Sequence, residues 1–472
     1  MTLHLDISHV VHAAERGAGF AGVHRVALEI AREMPAAAGD ADVRLCAHPP
    51  GGGALRAVRA AALCAGGAPG PAELRAAFAT PGARADLLPP SLERYADRPV
   101  RRALQHAHRR LRAGLGDRGH FERRGTSLAA WHAHCAPQAV AARARLRALA
   151  DAADARPLAA IARPGDRLIV LAGGWRRSGT AEIEALRAAG VGIDLLVHDV
   201  LPLTHPEHFR EDARREYRDW LARSAVAADR LLVTSRYTEG ALRDLWPTLA
   251  PGAEMPALAV VPLAHRLPPA AREGPVGAEV GPEIGALAAR PFVLCVGTME
   301  GRKNNLGLAR AWQMLVSGAV DGVAPEAVPT LVFAGRRGWL NEAFFAFLER
   351  TEHLGGRIRL VEGPSDAELA ALYEASLFTA MVSHAEGWGL PVGESLGHGK
   401  VPVVARSTAL PEVGGDLALY CDAADPGSIA AACARLIADP ADRARREARI
   451  AATRLRDWGD VARELLAGVF PP

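Results

Sequence analysis

Lys303 is one of only two lysines in a 472-residue chain that carries 56 lysines and arginines together, and Asn304 and Asn305 beside it are two of the three asparagines. They lie in VGTMEGRKNN, Val296 to Asn305, between an apolar run that reads as a strand and NLGLARAWQML, which reads as a helix. An ammonium and a guanidinium at a helix start form an anion site, because the first N–H groups of a helix are unpaired and carry partial positive charge. Lysine is a compact point charge and arginine a planar fork. A chain that almost always chooses arginine and keeps lysine here points to a need for the compact cation. With no ligand, the same residues reduce to a surface lysine beside a capping asparagine.

A second constellation is EGWGLPVGE, in which Glu386 and Glu394 stand eight residues apart with Gly387, Gly389, Pro391 and Gly393 between them. The glycines permit a tight turn and close backbone approach. Pro391 suits a first helical position, which puts Glu394 in the first turn and leaves Glu386 on the preceding loop. One carboxylate can then hold sugar hydroxyls, the backbone amides a phosphate, and the other carboxylate a ribose diol. The plainer alternative is a capping glutamate and a surface glutamate. His198, in LLVHDV, falls at a predicted strand end, where it either hydrogen-bonds a ligand or serves as a structural histidine; Asp199 reads as a turn or cap. His24 and Arg25, after the glycine loop ERGAGFAG, are further candidates.

These residues need strand ends and helix starts to position them. LHLDIS, RLIVLAGG, GIDLLVHDV, RLLVTS and LAVVPLA read as short buried strands with helical stretches after several of them. After a Pro-, Gly- and Ala-rich stretch at 266–290, read as a linker, the alternation resumes with PFVLCVGT, PTLVFAG, RIRLVEG, LFTAMVS, VPVVARS and LALYCD. Such alternation predicts an α/β protein with two doubly wound, Rossmann-like domains, 1–268 and 288–450, facing across a cleft. A helix within 451–472 is expected to pack back on the first domain. Residues 50–160 break the pattern and read as a helical, Arg-rich insertion: either a solvated helical surface or a basic face for an anionic membrane or lipid-phosphate acceptor.

Composition excludes several classes. A net charge of +3 makes no case for a nucleic-acid partner. The start, MTLHLDISHV, lacks signal-peptide features, and no apolar run approaches the ~18 residues of a bilayer span. The six cysteines show no metal spacing and read as free thiols in a cytoplasmic setting. Lys400, in GHGKVPVV, reads as an exposed turn residue.

EGWGLPVGE together with VGTMEGRKNN resembles the nucleotide-sugar half of family 4 glycosyltransferases, which have the GT-B fold. GVHRV, LLVHDVLPLTHPEHF, AADRLLVTSRYTEGAL and RDWGDVARELL are similar to segments of a bacterial polysaccharide and mannosyltransferase branch. The resemblance covers most of the chain outside 50–160. It implies retaining transfer of a sugar from a nucleotide donor to a glycan or lipid-linked acceptor, with peripheral contact at the inner membrane. Arg302 and Lys303 would neutralise the leaving diphosphate, and Glu386 would hold donor-sugar hydroxyls. Gly387 and the backbone of Trp388, Gly389, Leu390, Pro391 and Val392 would hold phosphate, with Gly297 and Thr298 beside them and Glu394 on the ribose. His198 would join the catalytic set. Gly19 and Gly22, with Arg25, would form the first-domain loop; Ala21 stands where the branch often has threonine. GDP-mannose is the expected donor.

No D-x-D pair follows a strand: Asp40 and Asp42 sit in a turn, and DAADAR is helical. No metal and no cofactor are expected. No carboxylate is placed as a nucleophile, which favours front-face attack over a covalent glycosyl-enzyme. Two other functions fit the same fold: a sugar-nucleotide epimerase, and an inactive nucleotide-sugar-binding scaffold in polysaccharide assembly.

Overall fold

The computed structural model describes residues 1–16, 20, 22–64, 67–79, 92, 98–123, 126–171, 180–265 and 281–469. They fall into two compact units that divide between Ile193 and Asp194.

The first unit holds β1 (Thr2–Asp6), β2 (Asp42–Ala47), β3 (Arg56–Arg59), β4 (Arg156–Pro157) and β5 (Arg167–Val170), in the order β4-β3-β2-β1-β5. β1 pairs in parallel with β2 and β5, and β3 runs antiparallel to β2. The described residues of 50–160 are largely helical, but β3 and β4 run through them. Gly22 precedes the helix Val23–Ala37 with φ 54°, a left-handed value that favours glycine. Arg25 is half-buried in that helix's first turn, and His24 stacks on His9 at 4.3 Å. Gly19 lies outside the described residues.

The second unit begins within β6 (Gly192–Val197), which pairs in parallel with β7 (Arg230–Val233), as β7 does with β8 (Ala257–Val260). It also holds β9 (Phe292–Val296), β10 (Thr330–Gly335), β11 (Ile358–Glu362), β12 (Thr379–Met381), β13 (Pro402–Ala405) and β14 (Leu419–Cys421). These six form one parallel sheet in the order β11-β10-β9-β12-β13-β14. Strands buried on both faces read as unbroken apolar runs, which is why FVLCV and LVFA stand out in the sequence. The sheet order reverses direction between β9 and β12, so the loops after these two strands open at a switch point, where doubly wound sheets bind ligands.

The structure adjusts three expectations. Of the stretch 266–290, Pro282–Ala288 is a helix with proline at its start, and 266–280 lies outside the described residues. Lys400 is half-buried rather than exposed. The helix that carries Glu394 begins at Leu390, one residue earlier than Pro391 suggested, so Glu394 sits just past the first turn. Near the chain end, Arg456 Nε donates to Pro262 O at 2.8 Å and Arg456 O accepts from His265 N–H. These bonds tie the segment before the helix Trp458–Val469 to the residues that follow β8.

Candidate active site

VGTMEGRKNN leaves β9 at Val296, makes one 3-10 turn over Gly301–Lys303, and enters the helix Asn305–Val316. Asn304 makes this bend possible. Its φ of 55° is left-handed, a conformation that asparagine tolerates better than most residues. Its Oδ1 caps the helix by accepting from Gly307 N–H, and its Nδ2 donates to Val382 O and Ala423 O at 3.0 and 2.7 Å. Asn305 accepts from Asn341 Nδ2 at 3.1 Å. All three asparagines therefore have structural work here, as cap, bridge and strut.

The bridge from Asn304 to Val382 fixes the loop after β9 against the loop after β12. Three charged side chains meet there. Lys303 Nζ lies 2.6 Å from Glu386 Oε1, and Arg302 Nη1 lies 2.7 Å from Glu386 Oε2. Arg302 also donates to Ala385 O at 2.5 Å and pairs through Nη2 with Glu300 at 2.6 Å. Glu386 and Glu300 are buried, as are most of Arg302 and Lys303. Burial alone would raise the Glu386 carboxyl. The charges of Arg302 and then Lys303, with a hydrogen bond from each, overcome it and hold that carboxyl at about 2. Burial works against the Arg302 charge in turn, but Glu386 and Glu300 raise its pKa further.

Thr408, at φ 45°, grips the Glu386 backbone from both sides: its Oγ1 accepts from Glu386 N–H at 2.8 Å and donates to Glu386 O at 2.9 Å. A left-handed φ is rare for a β-branched residue and marks a position fixed by its surroundings. At Gly387 an added Cβ would fall 2.5 Å from Asp199 Cβ and 2.7 Å from His198 O, so only glycine fits against the end of β6. Thr234 Oγ1 bonds both His198 O and Gly387 O, at 2.7 and 3.3 Å. His198 and Asp199 are thus brought to the Glu386 loop. Asp199 accepts from Leu201 N–H at 3.0 Å, the turn role read from sequence. Burial raises its carboxyl, and the nearby Arg302 charge partly offsets that.

Gly389 takes φ 105° at the head of the helix Leu390–Gly397 and offers no side-chain cap to its first N–H groups. Pro391 has no N–H and Val392 N–H donates to Gly389 O at 2.9 Å, so of the first three helical positions it is the Leu390 amide that is placed to donate to an anion. Trp388 is buried edge-on to His265, and its indole N–H is buried with no partner among the described residues. Glu394 is held from a different element: Tyr373 Oη donates to its Oε2 at 2.8 Å, and the Tyr373 ring stacks on His398. Gly297, at the end of β9, lies against the Lys303 stem, which would be 3.5 Å from an added Cβ. Thr298 lies in the same loop. Sequence reading assigned no role to Glu300, Thr408, Thr234 or Tyr373. Glu300 and Thr234 lie inside quoted segments; Thr408 and Tyr373 are distant in sequence and lack a spacing signal.

Among the described residues no group of three or more His, Cys, Asp or Glu gathers as metal ligands do. Asp42 opens β2 and pairs with Arg44, while Asp154 ends a helix and pairs with Arg156. No described helix is long and apolar enough to cross a membrane.

Residues 290–439, which contain this constellation apart from the β6 and β7 loops and His265, match the family model described as Glycosyl transferases group 1. Serotype-specific mannosyltransferase WbdA of Escherichia coli is 29% identical over 257 residues, which cover 53% of this chain and 30% of that protein. O-antigen chain mannosyltransferase B of Escherichia coli is 35% identical over 145 residues, 31% of this chain and 36% of that protein. The chain thus spans about a third of the length of these curated relatives. Among solved structures, the OtsA apo structure superposes with a TM-score of 0.52 at 15% identity, covering 67% of this chain and 75% of that one. "Trehalose-6-phosphate from E. coli bound with UDP-2-fluoro glucose" gives 0.51 at 17%, covering 68% and 76%. The fold is the two-domain GT-B fold. Within that fold, the glycosyl transferases group 1 match covers about a third of the chain.

Proposed function

We propose that the chain is a retaining, metal-independent glycosyltransferase of family 4. In this reading it moves mannose from GDP-mannose to a hydroxyl of a cell-surface polysaccharide or lipid-linked glycan. The observation that carries the reading is the pairing of Lys303 and Arg302 with Glu386 where the loops after β9 and β12 meet. The names of the two Escherichia coli relatives supply the choice of mannose. Residues 1–268 are taken as the acceptor side and 288–450 as the donor side, with the enzyme working from the cytoplasmic face of the inner membrane.

The chemistry follows from the charges. As the anomeric carbon–oxygen bond breaks, negative charge grows on the departing diphosphate. Lys303, Arg302 and the Leu390 amide that opens the Leu390–Gly397 helix stabilise that charge more in the transition state than in the ground state. Glu386, ionised with its carboxyl at about 2, has no proton to give at neutral pH. It serves as an acceptor for donor-sugar hydroxyls, and Glu394 for the ribose diol. The acceptor oxygen bonds to the anomeric carbon on the face the diphosphate leaves, and its proton passes to a phosphate oxygen. Glu386 is shared between two cations, which damps it as a nucleophile and favours this front-face path over a glycosyl-enzyme.

The test is product analysis with GDP-mannose and a lipid-linked glycan acceptor. Release of GDP that depends on acceptor, with an α-linked mannose seen by proton NMR, supports the reading. An inverted linkage, or a covalent sugar trapped on Glu386, overturns the mechanism. Interconverted sugar nucleotide without acceptor identifies an epimerase, and binding with no turnover a scaffold.

A further inference from the structure

The helix Pro99–Gly114 in the first unit is turned inside out. Val100, Leu104 and Leu111, with Leu115 at its C-terminal cap, are 73%, 64%, 63% and 70% exposed, while Arg109 is 1% exposed. At ~100° per residue these four aliphatic side chains and Ala107 fall within a sector of about 80°. Arg101 and Arg112 lie along one margin of that stripe and Arg110 along the other. The opposite side faces the protein: Ala113 joins Phe121 and Trp131 in a buried cluster, and the His106 ring sits 5.3 Å from Trp131.

The helix sequence PVRRALQHAHRRLRAG contains five arginines and no acid. Among the described residues, Asp117 Oδ2 approaches from outside the helix and lies 3.3 Å from Arg112 Nη1. Large aliphatic residues are not left in water in a row without a reason, and here the row is bordered by cations on both sides. That is the layout of a helix lying in a lipid interface, with its apolar side among the acyl chains and its arginines at the headgroups. Two copies of this chain meeting through the stripe would instead bring the same arginines together, with no acid on the helix to relieve them.

We infer that the exposed face of the Pro99–Gly114 helix docks on an anionic lipid bilayer. The glycosyl-transfer reading is not needed for this inference, and its test uses no activity. The full chain is spun with vesicles of phosphatidylcholine alone and with vesicles containing phosphatidylglycerol. The inference predicts binding at least about tenfold stronger to the anionic vesicles, falling as salt rises. Leu104→Asp with Leu111→Asp should lower that binding about tenfold or more. Arg101→Glu with Arg110→Glu should lower it similarly and remove most of the salt dependence. All four positions are solvent-facing, so the variants should melt as the parent does. Equal binding to both vesicles, no binding to either, or binding unmoved by the variants overturns the inference. So does a parent that forms dimers by light scattering, binds no vesicle, and becomes monomeric with Leu104→Asp and Leu111→Asp.

Discussion

Lys303 Nζ and Arg302 Nη1 hold opposite oxygens of one carboxylate, Glu386, at 2.6 and 2.7 Å. With Glu300 also on Arg302, two cations face two acids, so the cluster carries no net charge in hand for an incoming diphosphate. Part of the attraction for the donor is held back by Glu386.

Neutralising that acid should release it. We expect Glu386→Gln to bind GDP about tenfold more tightly than the parent by calorimetry. Turnover should fall roughly 10² to 10³-fold, as when one fixed group of a polar site is lost. Weaker GDP binding in Glu386→Gln would show that the carboxylate organises the cations rather than competing for them.

The same carboxylate makes stability depend on pH. Its folded value of about 2 lies below its ordinary 4.5, so its contribution is in place above 4.5 and is lost as pH falls towards 2. The difference corresponds to about 3 kcal/mol. Urea denaturation across that range should show the parent losing about this much more than Glu386→Gln. Parallel curves for the two proteins would contradict the assignment.

Thr408 holds Glu386 by two hydrogen bonds at a left-handed φ. Thr408→Val keeps the shape and removes both bonds, and should cost about 1–3 kcal/mol in urea denaturation along with turnover. Thr408→Ser should restore most of each. A valine variant as stable and active as the parent would remove Thr408 from the account.

The buried indole N–H of Trp388 has no partner among the described residues. If it serves the donor, Trp388→Phe should leave the melting temperature nearly unchanged and weaken nucleotide-sugar binding about five- to tenfold, the worth of one hydrogen bond. Unaltered affinity with a large loss of stability would make Trp388 a packing residue alone.

The second unit was largely legible because its strands are buried on both faces and written as apolar runs. The Lys303 and Glu386 loops were legible because rare residues and glycines cluster in them. Thr408 and Tyr373 were not, since a contact between residues more than twenty positions apart leaves no periodic trace, and Glu300, two positions from Arg302, carries no spacing that marks it as its partner. β3, RAVR, has only two buried apolar residues between exposed or half-buried arginines, so it reads as part of the surrounding Arg-rich helices. The Pro99–Gly114 helix misleads in the opposite sense. Its apolar spacing would place Leu104 and Leu111 inside, and the fold turns them out and buries Arg109. Pattern reading assumes that the apolar face meets protein.

The central claim is that Lys303 belongs to a diphosphate site. Calorimetric titration of GDP, UDP and dTDP into the parent and into Lys303→Ala tests it most directly. The account predicts that the parent binds one of them, GDP before the others, and that Lys303→Ala weakens that binding at least about tenfold, with Lys303→Arg restoring only part because its planar fork replaces a compact charge. Parent protein that binds none of the three, or Lys303→Ala that binds as well as the parent, would contradict it.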